Sequence, residues 1–84
     1  MIRFTHHAEN KFEILARHGF NLAKSLVVLT IEEPELIDTR RSPLLIAQRR
    51  IDDNHVLRVV YRKEEDGDLV VITFYPGRRN QYEN

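Results

Sequence analysis

Hydrophobic and polar positions alternate along this chain in two different periods. Ala8, Phe12, Leu15 and Ala16 recur at helical spacing, so residues 6–18 read as an amphipathic helix. Thr5 precedes it as an N-cap, Glu9 and Glu13 suit its start, and Arg17 and His18 suit its end. Gly19 is a natural stop. Leu22, Leu26 and Leu29 sit at i, i+4, i+7, with Val27, Val28 and Ile31 widening the stripe. Asn21 caps this second helix, and Pro34 ends it near Glu32 or Glu33. Residues 34–43, including Arg40-Arg41-Ser42, read as a loop.

The period then shortens. Residues 44–51, 55–63 and 69–75 read as strands, and Ile2-Arg3-Phe4 as a short edge strand. In the 55–63 run, Leu57, Val59 and Tyr61 face one side, and Val56, Arg58, Val60 and Arg62 the other. Asp52-Asp53-Asn54 makes one turn and Asp66-Gly67 signals a hairpin, so the last three strands form an antiparallel meander. The order β-α-α-β-β-β implies a two-layer α+β domain, both helices on one face of a small antiparallel sheet. Phe12, Leu15, Leu26, Leu29, Val59, Ile72 and Phe74 are the expected core. The opposite face stays at least partly open, and Arg49, Arg58, Arg62, Thr73 and Tyr75 are candidates for it.

Composition narrows the picture further. Eighty-four residues make one small domain. With no Cys there is no disulfide and no thiolate metal site. No run approaches membrane-spanning length and the first residues are not a signal peptide, so a cytoplasmic location is expected. Formal charge is zero, yet unevenly placed. Residues 1–39 hold four basic against six acidic groups, and residues 40–84 nine against seven, nearly all arginine. Guanidinium suits phosphate through its bidentate fork.

The strand of residues 69–75 meets Pro76-Gly77, and Arg78, Arg79, Asn80, Gln81 and Tyr82 follow. A rigid strand positions what its end carries, which makes this the first place to look for a site. His7 and Lys11 share a helix face at i, i+4, a second basic pair. The spacing of His6, His7, His18 and His55 fits no standard metal pattern.

Five pieces together resemble the RelE/ParE superfamily of bacterial and archaeal toxins. They are Thr5-His6-His7-Ala8, Arg17-His18-Gly19-Phe20, Glu33-Pro34, His55-Val56-Leu57-Arg58-Val59-Val60-Tyr61, and Arg78-Arg79 with Tyr82-Glu83. The chain is especially similar to the BrnT branch and a related family that begins with a His-Ala helix. The resemblance implies a microbial-RNase-like fold, an antitoxin partner and metal-independent cleavage of RNA without a cofactor. Arg58, Arg79 and Tyr82 match the basic and late-tyrosine positions of that superfamily. Together with His7 as a proton-transfer group they form the expected catalytic set. Lys11, Arg49, Arg62 and Arg78 are the expected RNA contacts. The expected partners are an antitoxin and RNA, with self-association a further option and no membrane. A competing expectation is a non-catalytic protein-interaction module on the same fold, with Arg58 held in a structural ion pair.

Overall fold

The computed structural model describes residues 1–83. It has the expected α+β architecture. Strand β1 (Ile2–Phe4) leads into helix α1 (His6–Arg17), followed by α2 (Lys24–Glu32). Strands β2 (Leu36–Asp38), β3 (Leu45–Arg50), β4 (His55–Lys63) and β5 (Leu69–Arg78) come next, then the single turn α3 (Arg79–Tyr82). The sheet runs β1-β5-β4-β3-β2. Three features correct the sequence reading. The sheet is mixed, because β1 pairs with β5 in parallel. The expected 34–43 loop contains β2, which pairs antiparallel with β3. The last strand continues through Pro76-Gly77 to Arg78.

Local chemistry explains α1. The Thr5 hydroxyl accepts from the Ala8 N–H at 3.1 Å and donates to the Ile72 carbonyl at 3.1 Å, so one side chain caps the helix and ties it to β5. At the other end, Gly19 takes φ +90°. The Phe20 N–H reaches the Leu15 carbonyl at 2.9 Å and the Gly19 N–H reaches Ala16 at 3.1 Å, the paired bonds of a Schellman cap. Asn21 caps nothing. The N-cap of α2 is Ala23, which makes no side-chain cap bond.

Both helices pack on one face of the sheet. Ala8, Leu15, Val27 and Ile31 meet Ala47, Leu57, Val59, Tyr61, Val71 and Phe74 in a single core. Of the expected core, Leu15, Val59 and Phe74 are buried, while Phe12 and Leu26 pack partly buried against them. Leu29 and Ile72 are only half-buried. In α2 the buried stripe is Val27, Thr30 and Ile31, with the Thr30 hydroxyl returned to the Leu26 carbonyl at 2.8 Å. Ile72 falls at the register shift between β4 and β5, where Val60 opposes Thr73 but Tyr61 opposes Val71. The extra residue is taken out of the alternation.

Candidate functional site

The sheet face away from α1 and α2 is partly open, as expected: Arg62, Thr73 and Tyr75 stay part-exposed there, while its centre around Arg58 is covered. Register places Gln48, Arg58 and Tyr75 side by side across β3, β4 and β5. Arg58 is 4 % exposed. Its Nε donates to the Tyr75 hydroxyl at 3.1 Å, one terminal nitrogen to the Gln48 side-chain carbonyl, and the other to the Asp38 carboxylate at 3.3 Å. The Tyr82 ring covers the guanidinium at 4.3 Å. A buried charge needs a partner and filled hydrogen bonds, and this one has both. Among the described residues no buried side-chain polar atom is unpartnered.

The tail closes over this network because Gly77 has no side chain. A Cβ at Gly77 would overlap the Tyr82 ring. With that space free, α3 folds back, and the Tyr82 carbonyl accepts from the Gln48 amide at 3.2 Å. Arg58 and Tyr82 are therefore brought together, as expected, but Arg58 stands as a buried structural cation. They border a recess of about 420 Å³ lined also by Leu36, Ile37, Asp38 and Arg40.

A larger depression, about 750 Å³, opens where β5 passes into α3. Arg50, Asp53, Asn54, His55, Arg78, Arg79, Asn80 and Glu83 line it. Arg79 donates from Nε to Glu83 at 2.7 Å and from a terminal nitrogen to the Asp53 carbonyl at 2.7 Å. Arg50 reaches the same Glu83 carboxylate at 3.2 Å. Arg78 is exposed and makes no ion pair among the described residues. His55 turns Nδ1 toward the Asp52 carboxylate at 3.0 Å. That carboxylate is itself fixed by the backbone N–H groups of Asn54 and His55, each at 2.7 Å. The ring also stands edge-on to Phe20, with centroids 5.1 Å apart, and Nε2 makes no hydrogen bond among the described residues.

The other expected site residues lie elsewhere. His7 meets the Thr73 hydroxyl at 3.2 Å. Thr73 is two residues from Tyr75, about 7 Å along the strand. His7 thus reaches the β5 edge but joins neither the depression nor the recess. Lys11 stays on α1, four residues further on. Arg49 is corrected to the helix side of the sheet, where it donates to the Glu33 carbonyl at the end of α2 at 2.7 Å. Arg50 takes the opposite face. Arg62 pairs with Glu64 at 3.3 Å. Arg50, His55 and Glu83, which line the depression, and Asp52, which holds His55, are residues to which the sequence reading gave no site role. The only sequence signal was a histidine closing the Asp52-Asp53-Asn54 turn. Among the described residues no group of three or more His, Cys, Asp or Glu is placed to hold a metal ion.

Three carboxyls here are held below their ordinary range. For Glu83 the causes are Arg79 first and then Arg50. For Asp38 they are the Arg40 side chain first, its backbone N–H next, and Arg58 after. For Asp52 the chief cause is the Asn54 N–H. A carboxyl depressed on folding stabilises above its unfolded value, about 3.9 for Asp and 4.3 for Glu, and that stability is lost as pH falls through the folded value. Melting temperature should therefore hold level from neutral pH to about 5 and fall below about 4. In Glu83→Gln the fall should be shallower. An equal fall in that variant would mean that Glu83 contributes nothing.

No helix of the described chain is long and apolar enough to cross a membrane. In comparisons with known families, with curated proteins and with solved structures, nothing matches the chain.

Proposed function

We propose that this protein is a metal-independent endoribonuclease, the toxin of a toxin–antitoxin pair, acting in the depression at the end of β5. The observation that carries the reading is a single depression lined by His55, whose imidazole is held by Asp52, and by three arginines, Arg50, Arg78 and Arg79. The resemblance of the chain to RelE-like toxins supports it independently.

In the proposed step His55 Nε2 takes the proton of a ribose 2′-hydroxyl. The freed oxygen attacks the adjacent phosphorus, the bond to the 5′-oxygen breaks, and a proton reaches that oxygen from solvent. The products are a 2′,3′-cyclic phosphate and a 5′-hydroxyl. The arginines stabilise the charge that builds on the phosphoryl oxygens. Arg78 makes the first contact, being exposed and in no ion pair among the described residues. Arg50 and Arg79 follow as phosphate displaces the Glu83 carboxylate from their shared grip, one anion replacing another.

Purified protein incubated with single-stranded RNA should yield fragments ending in 2′,3′-cyclic phosphate. In Arg50→Ala and Arg78→Ala, RNA binding should weaken and its salt dependence should drop by about 0.7 in log–log slope per lost contact. Intact RNA, with binding unaffected in both variants, would overturn the reading and leave the protein-interaction module.

A further inference from the structure

The two edges of the sheet are finished differently. At β1, Arg3 is exposed and tied to Glu64 and Asp68, both at 3.6 Å, and a charged edge discourages pairing. At β2, the last strand on the other side, Leu36 and Ile37 stand 47 % and 44 % exposed. They are two of the four large hydrophobic residues exposed on the described chain. An apolar edge strand with unpaired backbone groups is a template for another strand.

The charges around β2 say which strand. Glu32, Glu33 and Glu35 precede it and Arg40 and Arg41 follow it, all exposed. Arg40 is turned back onto Asp38. Among the described residues Glu32, Glu33 and Arg41 enter no ion pair. The order is acidic, apolar, basic. Set antiparallel to itself, such a segment brings each acidic arm beside a basic arm and apolar residues to the centre. A two-fold interface requires this self-complementarity, since one patch must fit its own copy.

We propose that β2 is a self-association edge, pairing antiparallel with β2 of a second copy to extend the five-stranded sheet into a ten-stranded one. The strand is three residues long. The contact is therefore small, and the dimer reversible and concentration-dependent.

Sedimentation velocity over a concentration series, with circular dichroism confirming the fold of each variant, tests this. The unaltered protein should move from monomer to dimer as concentration rises, and more weakly in high salt. Ile37→Lys should stay monomeric, because it sets two like charges together at the centre. Glu33→Arg and Arg41→Glu should each weaken association by about tenfold, a 1.4 kcal/mol change. The combined Glu33→Arg/Arg41→Glu protein restores opposite charges across the axis and should recover the dimer. A monomer at every concentration, a dimer untouched by Ile37→Lys, or failure of the combined variant to recover would each overturn the proposal. So would a dimer that forms only with a different protein bound.

Discussion

Phe74→Ala should bring the protein to the edge of unfolding. Phe74 is fully buried in β5, opposite Val59, with its ring 4.6 Å from that of Phe12, which lies 6.0 Å from Phe4. The residue links α1, the central strands and β1 in one apolar column. Truncating a buried Phe costs about 3–5 kcal/mol, transfer and cavity together. At roughly 0.05–0.15 kcal/mol per residue, a domain of this size holds only about 4–13 kcal/mol in total. Urea denaturation should show a sharply lower midpoint, and Phe74→Leu should restore most of the loss. A midpoint in Phe74→Ala equal to that of the parent would refute the placement of this ring in the core.

His55→Asn should reduce RNA cleavage by about 10²–10⁴-fold, the span of general acid–base contributions. Binding should be nearly unchanged, because the arginines of the depression remain. Tyr82→Phe is the informative contrast. The Tyr82 ring lies over Arg58 rather than in the depression, and the phenyl ring of Phe keeps that contact. Its rate should stay close to the parent's. A reversed pair of results, with His55→Asn active and Tyr82→Phe dead, would move the chemistry to the recess beside Arg58.

The parts of the fold legible in the sequence are those whose signal is local and long. Twelve residues of α1 carry a stripe, a cap and a glycine stop, and β4 is a nine-residue run rich in β-branched and apolar types. What was illegible is short or depends on distant chain. Strand β2 is three residues without a buried face of its own, and it exists through its pairing with β3. Turn α3 depends on the room left by Gly77. Pro76 marks a break on local grounds. Yet β1 covers β5 only from Leu69 to Val71, so Pro76 sits where β5 is an edge and a missing N–H is tolerated.

The site divides in the same way. The pair Arg78-Arg79 is a local feature, but the sequence reading set it past a strand ending at Tyr75, and the strand runs on to Arg78. Arg58 read equally well as a phosphate ligand or as an ion-paired residue. Its partner Asp38 is twenty residues away on a strand the pattern did not reveal. Arg49 and Arg50 are adjacent, and only the β3–β4 register decides which of them shares a face with Arg58.

The parallel pairing of β1 with β5 sets an order in time as well as in space. The Thr5 bond to Ile72 closes a separation of 67 residues. On a ribosome adding about 5–20 residues per second, β1 and the cap of α1 wait roughly 3–13 s for their partner strand to be made. Through that interval Phe4 and Phe12 have no sheet to cover them, while the β3–β4 hairpin can already close. The nascent chain therefore builds its sheet from the middle outward, and its first strand to be synthesised is among the last to dock. Contacts so distant in sequence slow folding, and for this domain the delay falls on its N-terminal apolar residues.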